Sequence, residues 1–233
     1  MCNRNVFNLE TGKVICIVPA KNEQETIYAC VSDLRNIGFR VLCIDDGSSD
    51  DTALIAKSAG AVVVQHSINL GQGAAIETGI EVIRRRIINC SYIATFDADG
   101  QHHASDLLQF VEILDQNPDV GVVLGSRFLN SSSKIPRVKS LFLKLSAKLS
   151  RVTLKLQLTD RHNGLRMFRT EHCDDFRISS SGYDHADEFL RIIKLKKIKF
   201  VEAPVKITYF SDRKGQPLIN GVKIFIDNIL RSR

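Results

Sequence analysis

The chain has 233 residues, 44% of them hydrophobic and 25% charged, a balance that excludes a disordered or fibrous chain and permits one sizeable core. The longest apolar runs, such as VICIVPA and VGVVLG, fall well short of the roughly 20 apolar residues of a transmembrane helix. The opening MCNRNVFNLETGK lacks the apolar centre of a signal peptide, and the net charge of +6 is modest but unevenly spread.

In chain order, KVICIVPA (residues 13–20) is a continuous apolar run and reads as a buried strand. Asn22 with Glu25 three residues on predicts a capping box, and Ile27, Val31 and Leu34 give the helix behind it one apolar face. RVLCIDDGSSDDT repeats the scheme: a strand, a polar turn of Asp and Ser caps, then a helix over ALIAKSAG that ends at a glycine. AVVVQH is a third strand and GQGAAIETGIEVIRRRI a third helix. YIATFDADG is a fourth strand, SDLLQFVEILDQNP a helix stopped by proline, and VGVVLGSRF a fifth strand.

After residue 130 the pattern changes. SLFLKLSAKLSRVTLKLQL sets Leu141, Leu145, Leu149, Val152 and Leu156 on one helical stripe and Lys144, Lys148, Arg151 and Lys155 on another. NGLRMFR reads as a short strand, YDHADEFLRIIKL as a helix and KFVEAPVKITYF as a final strand, with the weakly amphipathic GVKIFIDNILRSR as the tail. The six cysteines are scattered with no CxxC pair, which disfavours a zinc site or disulfide framework and fits a reducing cytosol.

Strand–helix alternation with continuously apolar strands predicts an α/β fold: a mostly parallel central sheet covered by helices on both faces. In such sheets ligands bind beyond the carboxyl ends of the strands, at the point where strand order reverses. PAKNE, DDGSSD and DADGQH all fall at strand ends and are expected to converge on one crevice.

The stretch FDADGQHH (residues 96–103) carries the most chemistry. In an extended segment residues i and i+2 point the same way, so Asp97 and Asp99 are expected to present two hard oxygen ligands to a divalent cation. Magnesium typically takes one or two carboxylates and fills its shell with water and phosphate oxygens; held there it would neutralise a departing diphosphate. An EF-hand reading fails, because counting from Asp97 the sixth and twelfth positions are His102 and Leu108 instead of glycine and glutamate. His102 and His103 are expected to pack or to face the ligand, not to bind metal. GQGAAIETG lacks the third glycine of a dinucleotide motif and follows the third strand; its glycines are expected to relieve crowding where the helix starts.

VPAKNEQETI, VLCIDDGSSDDT, LGQGAAIETGI, FDADGQH, VVLGSRF and NGLRMFR, in this order and spacing, resemble family 2 glycosyltransferases, and in particular the dolichyl- or polyprenyl-phosphate sugar synthase branch. The resemblance spans roughly residues 13–210. It implies a single GT-A catalytic domain over residues 1–233, with a nucleotide-sugar-binding half (13–127) and an acceptor-side half (128–233). It further implies inversion at the anomeric carbon of a UDP- or GDP-sugar, with Mg2+ or Mn2+ as cofactor. Carried over residue by residue, Pro19, Lys21 and Glu23 meet the nucleotide, and Ile44 and Asp46 receive base and ribose. Asp97, Ala98 and Asp99 form the metal–diphosphate motif, Gln101 lies near the donor sugar, and Arg127 lies near a donor or acceptor phosphate.

The match is incomplete. Related synthases carry Arg-x-x-Gly-x-Ser-Lys after the last strand; here the sequence is DRKGQPLINGVKIF, leaving Arg213 and Lys214 as diphosphate candidates. LNSSSKIP replaces their glycine-rich segment after GSR and reads as a lid. Residues 134–155 carry Lys134, Arg137, Lys139, Lys144, Lys148, Arg151 and Lys155 and no acid, which favours a phosphate-bearing partner.

The leading acceptor is a polyprenyl phosphate, reached by a cytoplasmic enzyme in peripheral contact with the inner face of the membrane through that basic stripe. The alternative is a saccharide hydroxyl in cell-surface polysaccharide, which needs a carboxylate base; of Asp184, Asp187 and Glu188, Asp187 is the candidate. A nucleotidyltransferase would need a glycine-rich loop after the first strand that the chain lacks. Nucleic-acid binding lacks aromatic platforms, Phe142 standing alone in the basic stretch.

Overall fold

The computed structural model describes residues 13–86, 89–129, 156–161, 163–180 and 185–208. Seven strands form one sheet: β1 (Val14–Ala20), β2 (Arg40–Asp45), β3 (Val62–Gln65), β4 (Tyr92–Thr95), β5 (Val122–Ser126), β6 (Arg166–Arg169) and β7 (Phe200–Pro204). Their spatial order is β3-β2-β1-β4-β6-β5-β7. All pairings are parallel except those of β6, which runs antiparallel to both β4 and β5. Strand order reverses at β1, flanked by β2 and β4, so the crevice expected from topology opens beyond Ala20 and Thr95.

Most strand positions are apolar, because both faces of the sheet are covered. On one face α1 (Ile27–Asn36), α2 (Thr52–Ser58) and α4 (Asp106–Gln116) bury Val31, Leu34, Ala56, Leu107 and Phe110 against Cys16, Val18 and Cys43. On the other, α3 (Gln72–Arg86) and α5 (His185–Leu195) bury Ile76, Ile80, Phe189 and Ile193 against Ile15, Ile17 and Phe168. Phe176 stacks on Phe189 with ring centroids 4.2 Å apart. A Cβ at Gly79 would lie 3.0 Å or less from two atoms of Ile17; the glycine lets α3 lie close on β1.

The expected α/β sheet with helices on both faces is therefore present. Two local expectations need correction. No capping box opens α1: the helix starts at Ile27, Thr26 makes no side-chain cap bond, and Asn22 instead sits at φ 54° and ties two loops together. Strand β4 stops at Thr95 and Asp97–Gly100 form a turn, so the two aspartates are set by turn geometry and not by strand alternation. NGLRMFR forms the short strand expected of it and is the reversed one among the described strands, a sense its sequence does not encode. The stripes of residues 134–155, the LNSSSKIP segment beyond Leu129, Phe142, Asp184, Arg213, Lys214 and the tail lie outside the described residues.

Candidate functional site

The loops after β1, β2, β3 and β4 are cross-tied by specific bonds. The Asn22 amide N–H donates to Ser48 Oγ (2.9 Å) and its side-chain oxygen accepts from the Ser49 N–H (2.9 Å). Glu23 N–H donates to Thr52 Oγ1 at 2.8 Å. Asp45 accepts from Ser48 N–H and from the Gln65 amide. At β2's end Asp46 accepts from His66 Nδ1 (2.8 Å), Leu70 N–H (2.8 Å) and Gly71 N–H (2.7 Å). Burial raises the Asp46 carboxyl, but these donors outweigh it and leave it below its ordinary range. Gly47, at φ 68°, has no room for a side chain: a Cβ would sit 2.7 Å from the Ile68 carbonyl carbon.

Asp97 lies at the centre. Its Oδ1 accepts from Gln72 Nε2 at 2.9 Å, and His102 Nε2 stands 3.3 Å from Oδ2. A Cβ at Gly164 would overlap Oδ2, so that glycine is what lets the β6 approach loop reach the carboxylate. Burial raises Asp97, while the His102 hydrogen bond and the charges of His102, His185 and Arg166 lower it by more, keeping it ionised below the usual range. Asp99 Oδ1 accepts from the Gln101 N–H at 2.9 Å, capping the turn.

The donor set is two carboxylates on one tight turn. No group of three or more His, Cys, Asp or Glu suited to a metal occurs among the described residues. That chemistry fits a hard divalent cation completed by water and phosphate oxygens, and not a fully protein-enclosed site.

The other sequence candidates fall out unevenly. Lys21 is exposed at the rim, Pro19 is buried in β1 and Glu23 is half-buried. Ala98 is buried and Gln101 is half-buried beside the paired aspartates. Ile44 is fully buried among Ile15, Ile17 and Leu42, so its side chain is core and does not face a base. His103 bonds Thr208 Oγ1 at 3.0 Å and His102 bridges Ile207, so these histidines hold the segment after β7 against the aspartate turn.

Arg127 is neither solvent-facing nor waiting with an open fork. Its Nε and Nη2 meet Asp160 Oδ2 and Oδ1, each at 2.6 Å. Glu202 in turn accepts from the backbone N–H of Thr159 and of Asp160. Asp187 is 3% exposed and its Oδ1 accepts from Arg161 Nε at 2.6 Å.

Sequence reasoning missed Gln72, Asn163, Gly164 and Arg166. Arg166 is buried, lies over the Phe189 ring, and is held down to about 10 by burial despite the charges of Asp97, Asp187 and Asp160. Gln72 carried a signal, since it lies in the GQGAAIETG stretch that opens a helix directly after a strand. Gly164 carried none, its role being a spatial contact across 67 positions of sequence.

The fold and these positions can be set beside known proteins. The family model Glycosyl transferase family 2 matches residues 15–177. The UDP-N-acetylglucosamine–dolichyl-phosphate N-acetylglucosaminyltransferase of Methanococcus voltae is 28% identical over 91% of this chain and 93% of its own length. The polyprenol monophosphomannose synthase of Mycolicibacterium smegmatis is 26% identical over 74% of this chain and 69% of its own. The crystal structure of Mycobacterium tuberculosis glucosyl-3-phosphoglycerate synthase with Mn2+, UDP and phosphoglyceric acid superposes with a TM-score of 0.70 at 17% identity, over 91% of this chain and 74% of that one. The sheet order, the family match over most of the chain and these relatives agree: the chain belongs to glycosyl transferase family 2, with a GT-A fold, and sits close to the dolichyl- and polyprenyl-phosphate sugar synthases.

Proposed function

We propose that the protein is an inverting, divalent-metal-dependent glycosyltransferase that moves a sugar from a UDP- or GDP-sugar to a polyprenyl phosphate at a membrane surface. The observation that carries this reading is Asp97, held by Gln72 and followed two residues on by Asp99 in one turn, at the reversal of strand order. Asp97 and Asp99 would hold Mg2+ or Mn2+, which supplies charge neutralisation for the departing diphosphate. Around it Pro19, Lys21, Glu23 and Asp46 are assigned to the nucleotide, Ala98 to the diphosphate with the two aspartates, and Gln101 to the donor sugar. Arg127, buried and paired with Asp160, is assigned to a donor or acceptor phosphate, and Arg213, which lies outside the described residues, to the diphosphate.

The acceptor reading is favoured by chemistry as well as by relatives. A lipid phosphate is already an anionic nucleophile and attacks the anomeric carbon as the nucleoside diphosphate leaves, so no base is required. Asp187, the base that a saccharide hydroxyl would need, is buried and engaged by Arg161, so it is not open to an acceptor hydroxyl. This weighs against the saccharide alternative. No helix among the described residues is long and apolar enough to cross a membrane, which suits peripheral contact at the inner face through the basic stretch 134–155.

The test incubates the protein with UDP- and GDP-sugars, Mn2+ or Mg2+, and polyprenyl phosphate, and follows nucleoside diphosphate release. Lipid-linked sugar and release abolished by Asp99→Asn are expected. Release only with a saccharide acceptor would replace the lipid reading, pyrophosphate would indicate nucleotidyl transfer, and unchanged turnover in the variant would remove the metal assignment.

A further inference from the structure

A chain of partly buried bonds runs from the middle of α3 to the Asp97 carboxylate. Asp46, an ionised carboxylate, only accepts, so His66 Nδ1 must carry the proton that it donates across 2.8 Å. In the neutral ring Nε2 is then a bare acceptor, and the Thr78 hydroxyl 2.9 Å away donates to it. Both side chains of the His66–Asp46 pair are nearly closed to solvent, at 8% and 5% exposure. The remaining capacity of Asp46 goes to the amides of Leu70 and Gly71. The residue after Gly71 is Gln72, the one that donates to Asp97 Oδ1.

The loop between β3 and α3 is therefore gripped from two sides. Gly47 packs against the backbone of Ile68 and Asn69, where a Cβ would stand 2.7–2.8 Å away. The Asp46 carboxylate holds the loop's last two amides. His66 also anchors the loop's start, its own amide donating to the Asp45 carbonyl at 2.9 Å. Gly71 takes φ 97°, so the direction in which Gln72 enters α3 depends on how that glycine is held.

We propose that His66, supported by Thr78, is a positioning residue for donor binding: it orients Asp46, Asp46 fixes the loop, and the loop aims Gln72 at Asp97. The inference rests on the proposed donor reading but adds residues to it that touch neither donor nor metal. It assigns Asp46 the task of building the wall of the nucleotide site, with three donors already on its oxygens.

The test compares His66→Ala, His66→Asn, His66→Gln and Thr78→Val with the wild type. An Asn amide can stand in for Nδ1–H and reach Asp46; a Gln amide stands in for Nε2 and does not. Hydrogen exchange should show faster exchange at Leu70 and Gly71 in His66→Ala and protection regained in His66→Asn. Calorimetric binding of UDP and of GDP with Mn2+ should weaken about ten- to hundredfold in His66→Ala and His66→Gln, as is usual when support of a metal ligand is lost. Recovery to within about threefold is expected in His66→Asn, with a smaller loss in Thr78→Val, and turnover should fall through donor KM more than through kcat. A uniform drop in thermal stability with unchanged Mn2+·nucleotide affinity would reduce His66 to a core residue and overturn the proposal, as would unchanged exchange at Leu70 and Gly71. A wild type that binds neither nucleotide would overturn the donor reading itself, and the positioning role with it.

Discussion

Arg127 and Asp160 form a two-pronged ion pair sealed from solvent, Nε to Oδ2 and Nη2 to Oδ1 both at 2.6 Å, with the Arg127 amide also donating to Oδ2 at 3.1 Å. The pair joins the end of β5 to the loop before β6, and Glu202 on β7 holds that loop through its backbone amides. The guanidinium is thus placed by three elements at once.

Removing one member of this pair should be far worse than removing both. Asp160→Ala leaves a buried cation alone and is expected to cost about 3–5 kcal/mol in urea unfolding. The double change Arg127→Met with Asp160→Leu should regain most of that stability. It should not regain transferase activity if Arg127 serves a phosphate, whereas restored turnover would make the pair purely architectural.

Gly164 is expected to tolerate no side chain. In Gly164→Ala the new methyl overlaps Asp97 Oδ2, so the carboxylate must turn away from the aspartate turn. Overpacking of this kind costs about 1–3 kcal/mol, and a Mn2+ titration of activity should shift to higher concentration. Gly73→Ala is a useful contrast: its methyl would overlap the Ser180 carbonyl oxygen and crowd His185 Cβ, so stability should fall and α3 should separate from the start of α5.

Acid should loosen the β3–α3 loop. Asp46 is held below its ordinary value, so the folded state binds its proton less readily than the unfolded chain does. Its contribution is complete above about pH 4, the ordinary carboxylate range, and is lost progressively below that as the folded carboxyl protonates. Denaturation midpoints measured from pH 7 downward should show a shallower acid decline in Asp46→Asn than in wild type.

The cysteines should label in a fixed order. Burial pushes the Cys43 thiol up to about 12 and Cys173 to about 11, and Cys16 is raised further by the same cause. Since the thiolate is the reactive form, iodoacetamide at pH 8 followed by mass spectrometry should find Cys90, the half-buried one of the five described, modified before these three. Modification of Cys16 or Cys43 should await unfolding.

The continuously apolar runs made the sheet and both helical layers legible in the sequence, because a strand buried on two faces is apolar at most positions. The crevice was legible for the same reason: polar clusters such as DDGSSD follow those strands directly. What the sequence hid is what depends on pairing at a distance. Asp187 and Arg127 were read as single functional groups, and each proved to hold a charged partner 26 or 33 positions away. Asn22 looked like a helix cap and is a loop tie, because Ser48 and Ser49 compete for it.

The reversed strand β6 has a consequence for how the molecule comes into being. It separates β4 from β5, pairing Thr95 with Arg166 on one side and Leu124 with Arg166 on the other. Until a ribosome has produced residues 166–169, β4 and β5 have an empty lane between them, and a chain cut after residue 127 would leave one edge of β4 and both edges of β5 unpaired and prone to sticking. The stretches before and after residue 127 cannot be grown or exchanged as independent modules; the seam between them is closed by a strand from the far side.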